Sequence, residues 1–201
     1  MKTAAKILLV ILLIVALITG SVLFLLVGTY ARVYKDLDQY EQDLAQIANA
    51  AQFMPELSTL GGYTDIKYTY TVKCYSTIAG FYSDAFALFV TYDQTQYDKE
   101  KEEILSKYTF LEAPVMRSSD TYTLPITEFK YKGYSFKVVP DEEYIDYSAC
   151  KSFMLVGFND ELKRIVYMYY YDFDIDYIAS VGDDLDGKMC DLVDTAFTWV
   201  N

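Results

Sequence analysis

Ile7 to Gly28 is an uncharged run of 22 residues in which only Thr19, Gly20, Ser21 and Gly28 dilute Leu, Ile, Val, Ala and Phe. No other feature constrains the chain so strongly. At about 1.5 Å of rise per residue, such a run covers the roughly 30 Å hydrocarbon core of a bilayer as a helix. Only a helix satisfies every backbone amide of a single span there. Lys2 and Lys6 precede the run as a short basic cap, which is the pattern of a secretion signal. The run is longer than the roughly 7–15 apolar residues of a cleavable signal, and Thr29-Tyr30-Ala31 is a poor cleavage site. An uncleaved signal anchor is therefore expected, with the bilayer as partner through residues 7–28.

Orientation is less sharply encoded. Lys2 and Lys6 before the run nearly balance Arg32 and Lys35 after it. An N-terminal signal with a basic cap normally leaves its own N-terminus in the cytoplasm. The expectation is a single-pass protein of the cell membrane: a cytoplasmic tail over 1–6, a transmembrane helix over 7–28, a juxtamembrane helix over 29–54 and an extracytoplasmic domain over 55–201.

Residues 33–201 carry 14 basic and 29 acidic side chains, a formal charge of −15. So acidic a surface is repelled by anionic head groups and polyanions, which excludes nucleic acid and predicts a domain that stands off the membrane. It suits an envelope protein or a neutral glycan as partner. The chain has no histidine, so Ser-His-Asp, Cys-His and His-ligated metal chemistry are excluded. Cys74, Cys150 and Cys190 are odd in number and widely spaced, without a Cys-x-x-Cys pair. Buried thiols are the simpler reading.

Periodicity predicts an α+β domain, a mostly antiparallel sheet packed by amphipathic helices. Val33, Leu37, Tyr40, Leu44, Ile47, Ala51 and Met54 step by 4, 3, 4, 3, 4, 3, one helical stripe ended by Pro55. The stripe would pack on the protein's own sheet or, alternatively, form an oligomeric coiled-coil stalk with Leu37, Leu44 and Ile47 exposed in the monomer. Ile66 to Cys74 alternates as a strand with one apolar face. Phe86 to Tyr92 is almost wholly apolar, as in a central strand covered on both sides. Asp93 caps a helix reaching about Lys107. Ala113 to Tyr122 reads as a polar connector. Two hairpins follow, around Lys132-Gly133 and around Asn159-Asp160-Glu161, the second with a strand from Lys163 to Tyr177. A final amphipathic helix covers about Asp183 to Trp199.

Two clusters are candidate sites. Tyr167, Tyr169 and Tyr171 share one strand face; exposed, they would stack on sugar rings or a protein edge, and otherwise they are core. Asp172, Asp174 and Asp176 form a ladder spaced by about 6–7 Å, which a cation would relieve, the alternative being a solvent face. Asp183, Asp184 and Asp186 lie in Gly182-Asp183-Asp184-Leu185-Asp186-Gly187, a stretch resembling part of a calcium loop. It fails the EF-hand register because Gly182 and Val193 would stand where acidic ligands belong. Acids near a helix N-terminus explain it better. No nucleotide-binding or nucleophile motif occurs, and no cofactor is implied. The functional expectation is a non-catalytic domain in a binding or accessory role at the cell envelope. The alternative enzyme, acting on envelope glycans, would need two carboxylates facing each other across a cleft.

Overall fold

The computed structural model describes residues 2–27, 30–47, 49–76, 81–118, 121–124, 126–141, 152–172 and 185–200. Seven of its strands are β1 Tyr30–Tyr34, β2 Tyr63–Ser76, β3 Phe81–Tyr92, β6 Glu128–Tyr131, β7 Tyr134–Pro140, β8 Ser152–Asn159 and β9 Arg164–Asp172. They form a single, wholly antiparallel sheet in the order β1-β2-β3-β9-β8-β7-β6. A separate hairpin pairs β4 Val115–Ser118 with β5 Thr121–Leu124, inside the segment whose polarity predicts only a connector. Among the described residues the α-helices are α1 Lys2–Val27, α2 Tyr40–Leu44, α3 Ala50–Phe53, α4 Gln94–Lys107 and α5 Leu185–Ala196. The α+β antiparallel architecture expected from the sequence is the one found.

Both faces of the sheet are covered over its central strands. On the first, α2, α3 and α4 bring Tyr40, Leu44, Ala50, Tyr97 and Ile104 onto Tyr68, Phe86, Leu88, Tyr167 and Tyr169. On the second, α5 brings Met189, Leu192, Val193 and Ala196 onto Ala87, Phe89, Val166, Met168 and Tyr170. The period-two pattern of each strand thus feeds two cores at once. The middle stretches of β3 (85–90) and β9 (165–170) are apolar or tyrosine on both faces because both strands lie near the centre of the sheet.

Local chemistry fixes the connections. The side chain of Asp93 accepts from the Gln96 amide at 2.9 Å and starts α4, as the sequence predicts. Lys132 and Gly133 both take positive φ, 47° and 80°, and the hairpin closes in two residues. Gly157 has another role. A Cβ there would lie 2.5 Å from Phe136 Cε1 and 2.7 Å from Val166 Cγ1, so its missing side chain is filled by its neighbours.

The segment over 29–54 departs from expectation. The stripe predicts one helix; the structure has β1, one 3-10 turn over Leu37–Gln39, then α2 and α3. β1 is drawn into the sheet by pairing with β2, Tyr30 opposite Cys74 through Tyr34 opposite Tyr70. Asp36 stays extended and accepts from the Asp38 amide at 3.1 Å, and Asn49 turns the chain at φ 67°. The stripe nonetheless faces the sheet. Tyr40 and Leu44 are buried in the first core, with Leu37 and Ile47 packed against it. The stalk reading, which needs Leu37, Leu44 and Ile47 exposed, is corrected on that ground, since the protein's own core takes up these three, while Val33 and Ala51 at either end of the stripe are exposed.

α1 is 26 residues long, about 39 Å. Its described side chains are exposed on all sides, from Ile7, Val10 and Ile11 through Leu17 and Ile18 to Leu23. Taken alone, no helix among the described residues is long and apolar enough to cross a membrane.

Candidate functional site

The sequence-nominated tyrosines fall inside the protein. Tyr167 and Tyr169 are 2% and 0% exposed in the first core, and Tyr171 packs against that core half-buried. Their expected role as a stacking row is therefore corrected: side chains of α2, α3 and α4 pack over the face they share. Alternation identifies that face but does not show that it is covered.

The acidic ladder is also changed in character. Asp172 is 4% exposed and accepts from the Tyr170 hydroxyl at 2.9 Å, so it is not on a solvent face. Asp174, Asp176, Asp183 and Asp184 lie outside the described residues, as do Cys150 and Gly182, so that half of the calcium-like loop is outside them. Asp186 is the second residue of α5, and its side chain is likewise outside them. Among the described residues no three acidic or thiol side chains come together as a metal site. Cys74 and Cys190 are thiols, Cys74 buried and Cys190 partly so.

A second buried carboxylate is one that sequence patterning does not single out. Asp84 on β3 is 2% exposed and stands on the first face, the Tyr70 hydroxyl donating to its Oδ1 at 2.6 Å. Its Oδ2 has no hydrogen-bond partner among the described residues. Burial pushes its carboxyl up to about 6. The bond from Tyr70 opposes that shift, and the charge of Asp172, one strand away on the other face, adds to it. Unfolded, the group titrates near its ordinary 3.8. Between these values the folded protein binds more protons, so this group makes stability fall as pH rises from about 4 to about 6. Asp84→Asn is expected to raise stability at pH 8 by about 2 kcal/mol and to change it little at pH 4, read by urea unfolding at both. Equal effects at the two pH values would contradict this account.

A groove of about 540 Å³ lies between α4 and the β6–β7 end of the sheet. Its origin is geometric. α4 packs over β3 and β9 and leaves the first face open at β6 and at the 135–137 stretch of β7, while Val139 further along β7 is buried in the first core. There Glu128, Lys130, Ser135 and Lys137 point outward, while Phe129, Tyr134 and Phe136 fill the second core behind them. Lys101 and Leu105 of α4 form one wall. Lys101 Nζ lies 2.7 Å from Asp160 Oδ1, which also accepts from the Tyr97 hydroxyl at 2.6 Å. Lys137 Nζ lies 3.1 Å from Glu128 Oε2. The Lys101 ammonium also stands 5.4 Å from the Phe158 ring centre.

Hydrogen bonds from Lys101 and Tyr97 hold the Asp160 carboxyl below its ordinary value. It is thus kept ionised, the wrong state for a general acid. The groove offers ammonium donors beside carboxylate acceptors on a partly apolar floor. That arrangement suits a polar ligand held by hydrogen bonds. Its residues come from four separate elements, and only the apolar-polar alternation of β6 and β7 hints at an open face.

Comparison with known proteins finds no match: no family model fits the chain, and no curated protein or solved structure is significantly similar.

Proposed function

We propose that this protein is a membrane-tethered domain, non-catalytic and held outside the cytoplasm, which binds a partner at the cell envelope. The observation that carries the reading is α1. A helix that is apolar on every side belongs in a protein core or in lipid. Its described side chains lie against no core. Half-exposed apolar side chains cost about 1 kcal/mol each in water, so the eleven large ones described here amount to on the order of 10 kcal/mol. Lipid removes that cost. The uncharged run of 22 residues matches the bilayer in length.

The groove is the surface we assign to the partner. Its paired charges favour a neutral, hydroxyl-rich ligand over a polyanion, in keeping with the domain's charge of −15. The experiment is protease treatment of intact cells bearing a C-terminal tag. Loss of the tag epitope supports display outside; protection until lysis overturns it. For the groove, a neutral oligosaccharide such as chitotriose is titrated into the detergent-solubilised protein and followed by amide shifts. Shifts confined to α4 and β6–β8 support a glycan ligand. Their absence removes the glycan and leaves an envelope protein as the partner.

A further inference from the structure

We propose that the end of the sheet carrying Tyr30, Tyr75 and Tyr82 docks into the lipid head-group layer, so that the domain sits on the bilayer instead of standing off it. This rests on the tethering reading.

α1 ends at Val27 and β1 begins at Tyr30, so only two residues separate helix from sheet. The backbone of α1 also comes close to that of β2. The strand ends nearest that junction are therefore fixed by register. Tyr30 on β1 stands opposite Cys74 on β2, and Cys74 stands opposite Tyr82 on β3. The three form one row across the sheet, with Tyr30 and Tyr82 about 10 Å apart. Tyr75 adjoins the row on the opposite face.

Within that row the burial pattern is inverted. Cys74 at the centre is 6% exposed, whereas Tyr30, Tyr75 and Tyr82 are 43%, 39% and 36% exposed. Large aromatic surface is thus turned outward at the level where a membrane helix would leave the lipid. Tyrosine is enriched at that level in membrane proteins, because its ring is apolar and its hydroxyl is wet. The Arg32 guanidinium lies 4.9 Å from the Tyr30 ring centre, and Lys35 is exposed just beyond. Both are placed to meet head-group phosphates. The domain's net negative charge is an average; the strand that follows α1 is basic and aromatic.

The other end of β2 supplies a control. Tyr63 is equally exposed, at 45%, but lies twelve residues from Tyr75, roughly 40 Å along the strand. The test places single tryptophans at these sites in the full chain: Tyr82→Trp and Tyr63→Trp, each in a Trp199→Phe background. If that background does not fold, Trp199 is kept and the added signal is read. The proteins are reconstituted in phosphatidylcholine vesicles containing lipid brominated near the head group. Tryptophan at position 82 is expected to be quenched at least twofold more than at position 63. Equal quenching in protein that floats with the vesicles overturns the docking and leaves the tether intact. Failure to float overturns the tether, and the docking with it.

Discussion

Leu13→Arg combined with Ile14→Arg is expected to abolish stable membrane association and to leave the domain folded. Each arginine at the centre of a membrane helix costs about 2.5–3.5 kcal/mol on insertion-based scales, so the pair costs about 5–7 kcal/mol. Snorkelling cannot relieve both, because these positions lie near the middle of α1, far from either interface. The sheet is unaffected, since Leu13 and Ile14 are 56% and 50% exposed and belong to neither core. Fractionation with circular dichroism reads both halves of the prediction. A double variant that stays in the membrane pellet would show that something other than α1 holds the protein there.

The second large effect concerns folding. Gly157→Val is expected to destabilise the domain by about 3 kcal/mol, with Gly157→Ala about 2 kcal/mol, measured as a shift of the urea midpoint. The Phe136 ring and a Val166 methyl already fill the space a side chain would need. Neither can retreat: Phe136 is 1% exposed and stacks on Phe129 at 5.0 Å between ring centres, and Val166 is 0% exposed. Both lie on the second face, beneath α5. Phe136→Ala beside Gly157→Val should recover part of the loss, since it removes one of the two clashing groups. A Gly157→Val variant as stable as the native chain would contradict the packing described.

Much of the sheet is legible in the sequence because its strands obey simple periodicity. The apolar run over Phe86 to Tyr92 foretells a central strand, and β3 is the third of seven. The opposite facing of Tyr169 and Tyr170 follows from alternation alone. The Lys132-Gly133 turn is readable because a two-residue hairpin loop with positive φ at both positions favours glycine.

The rest is hidden for physical reasons. Val33 to Met54 has a flawless helical stripe, but a stripe records which residues face the core, not whether the backbone between them is continuous. Asn49 at φ 67° interrupts the helix while Leu44 and Ile47 before it still reach the core. Tyr167 and Tyr169 look like binders because alternation cannot distinguish a covered face from an open one. The groove is invisible for a related reason: it exists where α4 stops covering the sheet, a matter of helix placement. Asp84 escapes notice because one acid before an apolar strand looks like a strand boundary.

The central claim is that α1 is integrated in lipid. The direct measurement is alkaline carbonate extraction of native membranes, followed by flotation of the pellet on a density gradient. Integration predicts that the unmodified protein resists carbonate and rises with the lipid. Recovery in the carbonate supernatant would contradict it.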